Sequence, residues 1–394
     1  MLPLAGLRVI AVEQYGAGPF GSMMLGDLGA EVIKIENPAD GGDVSRSVGP
    51  HFFPDGDSHF FQAFNRNKRS ITLNLKHPLA QDVLQKLVRT ADATYDNLRG
   101  DQPEKLGVTY AQLSEFNPKI VCAHLSAYGR EGPRKAWPGY DYLMQAEAGY
   151  LSLTGEPDGP PARMGLSIVD LMTGMNAAFA LVSGVLSARA TGRGRDIDVN
   201  LFDTALQNLC YLAVWYLNAG RNQAREPRSA HPSLVPSQLY RTKDGFIFLM
   251  CNKEKFWPAL CEAIGRPEWI GRAEYNDFKA RLANRARLTE ELDAELSTKT
   301  TVEWIELFGG RVPAAPVHDV RSALENPFVA EGARIRTADH PSGPVRLLAP
   351  SIHCPGEDLP CAAAPAMGAD TDEVLTGAGF TLAEIARLRD AGTI

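Results

Sequence analysis

A chain of 394 residues with 44% hydrophobic composition can bury a large core and is expected to make two domains, because single cores stop growing well before this length. A formal net charge of −7 argues against a nucleic-acid binder, so an anionic ligand has to be met by a local basic patch. The cysteines (Cys122, Cys210, Cys251, Cys261, Cys354 and Cys361) lie far apart, without C-x-x-C or zinc-finger spacing, and read as reduced, mostly buried thiols of a cytoplasmic protein with no metal site.

The opening, MLPLAGLRVIAVE, lacks the basic region and cleavage site of a signal peptide. LRVIAVE reads as a strand, GAGPFGS as a turn and SMMLGDL as a helix, with Pro19 in the first helical turn and Gly29 as the stop. EVIKIE is a second strand, so the segment predicts a right-handed βαβ unit and a parallel sheet. Gly16, Gly18 and Gly21 also satisfy G-x-G-x-x-G, and Glu36 ends the second strand, which taken literally is a dinucleotide-binding fingerprint. Against it, Pro19 removes one N–H from the helix end that would face a pyrophosphate.

NRNKRSITLNLKHP places Arg66, Lys68, Arg69 and Lys76 around a short strand, either as a solvated edge or as a phosphate site. A helix follows from Pro78, with Leu79, Val83, Leu87 and Val88 on one face. ATYDNLRG gives a strand end and loop, TYAQLSEF a short helix with a capping box (Thr109, Gln112), and IVCAHLSAYG a further strand.

In GLSIVD, the apolar residues Leu166, Ile168 and Val169 read as a strand ending in Asp170. An uncharged run, LMTGMNAAFALVSGVLSA, follows and suits a helix buried on most sides better than a bilayer span. An Asp at such a junction is most often an N-cap, and the alternative is a nucleophilic carboxylate at the lip of a pocket.

TGRGRDIDVNLFDTALQNLCYLAVWYL supplies a turn, a strand and a largely apolar helix. At RNQAREPRSAHPSLVP the texture turns polar and proline-bearing, and a domain boundary is expected at 222. SQLYRTKDGFIFLMC predicts a hairpin around Asp244-Gly245. Helical patterns carry Trp257, Trp269 and Trp304, and after about Asn326 the chain has extended stretches and a final amphipathic helix, TLAEIARLRDAG.

Together LAGLRVIAVEQYGAGPFGSMMLGDLGAEVIKIE, NRNKRSITLNLK, DNLRG, LGVTYAQLSEFNPKIV, PGYDYLMQAEAG, GEPDGPPARMGLSIVDLMTGM, TGRGRDIDVNLFD and GADTDEVLTGAG resemble the class III CoA-transferases, the family of formyl-CoA and carnitine CoA-transferases, over essentially the whole chain. The resemblance implies an α/β fold, with a Rossmann-like large domain built on a parallel sheet and a smaller α+β domain. The expected layout is 1–221 for the N-terminal part of the large domain, 222–325 for the small domain, and 326–394 returning to the large one. It also implies an interlinked homodimer that binds neither nucleic acid nor membrane.

Residue by residue, the resemblance makes Asp170 the nucleophile. Leu73, Lys76, Asn97, Leu98, Arg99 and Lys105 become walls and cationic contacts for coenzyme A. The turn at Gly16 and Ala17 faces the reacting thioester and offers oxyanion donors, and Gly16 stands where formyl-CoA transferases carry glutamine. Asn37 falls where some members have arginine. Tyr140 and Asp141 match a pair close to the nucleophile, and His231 and Arg163 are candidate acceptor contacts.

The expected function is transfer of CoA from an acyl-CoA donor, with succinyl-CoA favoured, to a small dicarboxylic or related carboxylic acid acceptor. Acyl-CoA is then substrate, and no tightly bound cofactor is expected. An α-methylacyl-CoA racemase is the alternative within the fold, disfavoured because Tyr140 stands where those relatives put a histidine. An NAD-dependent oxidoreductase is the alternative outside it.

Overall fold

The computed structural model describes residues 1–394, which form two compact units: Met1–Gly149 with Met164–Ala219 and Ala330–Ile394, and Tyr150–Arg163 with Gly220–Val329. The short segment 150–163, which carries the Gly/Pro-rich run GEPDGPP, packs with the second unit.

In the first unit, β1 (Arg8–Val12), α1 (Ala17–Asp27) and β2 (Glu31–Glu36) form the expected βαβ unit, and all strands of its sheet run parallel. They continue through α2 (His59–Asn65), β3 (Lys68–Thr72), α3 (Ala80–Val88), β4 (Ala93–Asp96), the single-turn helices α4 (Pro103–Leu106) and α5 (Tyr110–Leu113), and β5 (Val121–Ser126). Next come α6 (Asp141–Glu147), α7 (Ile168–Thr191), β6 (Arg195–Asn200), α8 (Leu201–Asn208) and α9 (Cys210–Ala219). The strand order is β3-β2-β1-β4-β5-β6, so the winding reverses between β1 and β4. Ligands of open α/β sheets bind at the carboxyl ends of the strands at such a point.

α3 buries Ala80, Val83, Leu84, Leu87 and Val88 in a core shared with Ile10, Ile33, Ile35 and Ile71, while Leu79 caps it in solvent instead of joining its apolar face. α5 has the capping box of Thr109 and Gln112. α1 and α7 cross at Gly21 and Gly174, where a Cβ on either would overlap the other helix's backbone. Only glycine permits this approach, which sets the start of α7 beside the turn that opens α1.

α7 is long and apolar enough to cross a bilayer by length and composition, but its most apolar stretch is half buried in the unit, as a core helix is. α9 buries none of its residues.

The second unit is built on the hairpin β7 (Ser237–Arg241) and β8 (Phe246–Met250), turning at Asp244-Gly245 as expected. Around it lie α10 (Phe256–Ala263), α11 (Phe278–Ala283), α12 (Arg285–Leu296), α13 (Thr301–Phe308), the short strand β9 (Ala314–Pro316), α14 (Val320–Leu324) and α15 (Pro327–Glu331). Trp257, Trp269, Trp304 and Tyr275 fill its core.

The C-terminal segment adds an antiparallel pair, β10 (Ile335–Ala338) and β11 (Val345–Leu348), then α16 (Thr371–Gly377) and α17 (Leu382–Asp390). The last two close the first unit's core through Val374, Leu375, Ile385 and Leu388.

Candidate active site

At the carboxyl ends of the strands around the β1/β4 reversal lie two adjoining cavities. One, of about 240 Å³, is walled by Ile35, Leu73, Leu75, Leu98 and Leu106 and bordered by the exposed Lys76. The other, of about 220 Å³, holds Tyr15, Gly16, Ala17, Arg99, Ser126, Trp137, Tyr140 and Asp170. Gln14, Asn97 and Leu98 border both, so the two cavities adjoin along one groove at the strand ends.

Asp170 reaches the second cavity because α7 begins earlier than its local sequence implies. Residues 166–169 are not a strand: Ile168 and Val169 are already helical, and Asp170 lies in the first turn instead of at the N-cap. The cap comes from a distant residue. Asp141 Oδ2 accepts the N–H groups of Val169 at 2.6 Å and Asp170 at 3.0 Å, and Gln145 on the same helix donates to Asp141 Oδ1 and to the Leu166 carbonyl. Asp141 is therefore buried as a helix cap close to Asp170, as the pairing with Tyr140 implies, and does not itself line the cavity.

Asp141 takes the Val169 and Asp170 N–H groups, and no hydrogen bond from the protein offsets the burial of the Asp170 carboxylate. Burial, then the Asp141 charge, push Asp170 up to about 7. A carboxylate at a helix start is ordinarily held ionised, and here that ordering is reversed.

Opposite Asp170 stands Gly16, where a Cβ would lie 3.0 Å from Asp170 Oδ2. Gly16 precedes α1, whose first turn has no side-chain cap, so the N–H groups of Ala17 and Gly18 lack intrahelical acceptors. Asn97 braces this turn: its Oδ1 accepts the Gln14 N–H at 2.9 Å, and its Nδ2 donates to the Gln14 carbonyl at 2.7 Å.

Tyr140, 63% exposed, edges the cavity beside Trp137. Arg99 reaches it while paired with Asp101 at 2.6 Å, and Lys105 pairs with the same carboxylate from outside the cavities. His231 and Arg163 belong to the second unit. His231 Nδ1 accepts the N–H groups of Ser233 and Leu234, which is a local turn.

The basic cluster of residues 66–69 is neither a solvated edge nor a phosphate site. Arg66 pairs with Asp27, Lys68 with Glu13, and Arg69 with Glu31, Asp370 and Glu373, which leaves Lys76 alone at the groove. Sequence reasoning missed three groups at the site: Asp43, which borders the first cavity, and Lys34 and His124, which line neither. His124 is buried between Asp96 at 2.6 Å and Asp196 at 3.0 Å. Although burial lowers its pKa, these carboxylates raise it to about 9. The available signal was an ionisable residue inside an apolar strand, as Lys34 is in EVIKIE and His124 in IVCAHLS.

A model of CoA-transferase family III matches residues 4–371. The chain belongs to this family. It is 33% identical over 354 residues to the mouse succinyl-CoA:glutarate CoA-transferase, covering 89% of this chain and 80% of the relative. It is 35% identical over 331 residues to the acetyl-CoA:oxalate CoA-transferase of Acetobacter aceti, covering 83% and 84%. Among solved structures it resembles a CAIB/BAIF family protein from Brucella suis, with a TM-score of 0.83 and 30% identity over 96% of this chain and 99% of that one.

This family III CoA-transferase is thus an enzyme of the EC 2.8.3 type, acting in acyl-CoA metabolism on CoA thioesters as substrates. That overturns the dinucleotide reading of Gly16, Gly18, Gly21 and Glu36. The Glu36 carboxylate is committed to Arg46 at 2.7 and 2.8 Å and to Ser70 at 2.6 Å, so it is not open to a ribose hydroxyl. The racemase alternative is set aside as well, because the relatives named above are CoA-transferases.

Proposed function

We propose that the enzyme moves CoA from succinyl-CoA to a small dicarboxylic or related acid, with Asp170 as nucleophile. The observation that carries this reading is the Asp170 carboxylate: buried, free of protein donors, and facing the Gly16 turn in a cavity that adjoins a second one lined by Leu73, Lys76 and Leu98.

CoA's adenine end lies against Leu73 and Leu98, with Lys76, Asn97 and the Arg99/Lys105 pair near its phosphates. Arg99 and Lys105 then share Asp101 with the ligand or exchange it for a phosphate. Asp170 attacks the thioester carbonyl, forming an aspartyl-acyl anhydride and releasing CoA thiolate. The thiolate attacks the aspartyl carbonyl, giving an enzyme-bound thioester and the free donor acid. The acceptor carboxylate reverses the two steps and leaves as its CoA thioester. The N–H groups near Gly16 and Ala17 stabilise each tetrahedral oxyanion, and the fixed geometry compensates for a weak nucleophile.

A dicarboxylate acceptor is favoured because glutarate and oxalate are named for the relatives above. Their donors differ, so acetyl-CoA is the second reading. A matrix of acyl-CoA donors against free acids, read by mass spectrometry, is expected to give the largest new thioester signal for succinyl-CoA with dicarboxylates. Acetyl-CoA as the only productive donor would replace the first reading with the second.

The reading includes a cytoplasmic, interlinked homodimer. Its support is apolar surface that one chain leaves open: Tyr211, Val214, Tyr216 and Leu217 on α9, Phe179 and Leu186 on α7, and a cavity of about 650 Å³ lined by Phe20, Met24, Met175 and residues 344–352. Light scattering is expected to read twice the 42.8 kDa chain mass, and a monomer at working concentration contradicts the dimer.

A further inference from the structure

The turn that faces Asp170 is held by buried charges, of which Glu13 and Asp43 border the first cavity and none borders the cavity of Asp170. Tyr15, immediately before Gly16, has φ +72, a left-handed conformation uncommon for a residue with a side chain. Its N–H donates to Asp43 Oδ1 at 3.0 Å, and the same oxygen accepts the N–H and hydroxyl of Ser45 at 2.8 and 2.7 Å. Asp43 Oδ2 lies 2.7 Å from Lys34 Nζ, which also donates to the Glu13 carbonyl at 2.9 Å. The Lys34 and Asp43 side chains are both fully buried. Lys68 extends the bracket by donating to Glu13 Oε1 at 2.7 Å and to the Pro19 carbonyl at 3.0 Å.

The backbone of Glu13, Gln14 and Tyr15 before Gly16, and that of Pro19 after it, is therefore gripped by side chains. The N–H groups of Ala17 and Gly18 are left for a ligand. Stability alone is a poor reason for such a bracket, because an apolar pair of similar volume commonly serves a buried site as well as an ion pair does. What the charges add is direction: a fixed acceptor for the Tyr15 N–H and a fixed donor for the Glu13 carbonyl.

We infer that Asp43 and Lys34 are positioning residues for CoA transfer, which hold Tyr15 left-handed so that the Gly16–Gly18 backbone faces the Asp170 carboxylate. The inference rests on the proposed role of Asp170 and adds to it the residues that aim the opposing donors.

Glycine provides the test, because it adopts φ +72 without strain and so removes the need for the bracket at that residue. The measurement is steady-state kinetics, with the fastest donor–acceptor pair of the matrix above, on Asp43→Ala, Tyr15→Gly and the two combined. Asp43→Ala is expected to lower kcat by at least about tenfold with the acyl-CoA KM within about threefold, the pattern of a lost transition-state interaction. In the Tyr15→Gly background, Asp43→Ala is expected to cost less than about threefold in kcat.

An equal cost in both backgrounds, or a loss confined to KM, overturns the inference. If Asp43→Ala does not fold, Lys34→Met/Asp43→Ala, which leaves no lone buried ammonium, is read in the same comparison. An active Asp170→Asn enzyme defeats the reading of the nucleophile. An inactive Asp170→Asn enzyme with equal Asp43→Ala costs defeats the positioning role alone.

Discussion

Asp170→Asn and Asp170→Ala are expected to fold and bind CoA while losing at least about 10³-fold in CoA transfer, as removal of a covalent nucleophile does. Hydroxylamine added during wild-type turnover is expected to inactivate the enzyme by forming a hydroxamate on Asp170. Near-normal turnover in either variant, or a modified residue elsewhere, would sink the assignment.

The pH dependence follows from burial. With its pKa pushed up to about 7, Asp170 is ionised only above that value, so kcat/KM is expected to rise with pH through about 7 and then level off. Asp141→Asn removes the neighbouring charge and is expected to move this limb toward lower pH. Burial, the larger cause, remains in that variant.

The same displacement is a stability statement. The folded pKa lies above the unfolded value, so the native chain binds more protons than the unfolded chain between about pH 4 and 7. The advantage of protonated Asp170 is complete below the unfolded pKa and is lost as pH rises through about 7. At pH 8 the buried carboxylate therefore costs the wild type on the order of 4 kcal/mol. Asp170→Asn is expected to melt above the wild type at pH 8 and close to it at pH 4. A nucleophile held in a site that penalises its charge is a local sacrifice of stability for function.

Gly174→Ala is expected to destabilise the fold by about 1–3 kcal/mol and to lower turnover as well. In the interior of an open helix this change would stabilise by about 1 kcal/mol, because alanine is the better helix former. At Gly174 the added methyl would overlap the Ala17 carbonyl oxygen and press on the Gly21 nitrogen, both backbone atoms of α1 that cannot rotate away. Relief requires α1 and α7 to separate, which carries the Gly16 turn away from Asp170. A thermal melt decides by sign, and a variant as stable as the wild type would show that the crossing has slack.

The expectations that held belong to segments whose partners are near in sequence. The strands Arg8–Val12 and Glu31–Glu36 flank one helix, and the hairpin Ser237–Met250 closes on an Asp-Gly turn. The capping box of Thr109 and Gln112 was legible for the same reason. GLSIVD was misread because its alternating apolar residues are compatible with a strand. What makes them helical is the Asp141 carboxylate, 28 residues earlier, which accepts the first N–H groups of the helix. The cations of residues 66–69 were misread in the same way, since their carboxylates stand at Asp27, Glu13, Glu31 and Asp370.

The sequence by itself determined the α/β class, the parallel βαβ opening, the family resemblance and Asp170 as the carboxylate to watch. Tertiary structure alone decided that Asp170 faces Gly16, that Asp141 is a cap, and that Lys34 and Asp43 grip the turn. The physical reason is range. Periodicity, capping and turn chemistry act over a few residues and leave a local signature. The desolvation of a carboxylate and the pairing of buried charges depend on groups that come together only when the sheet is assembled.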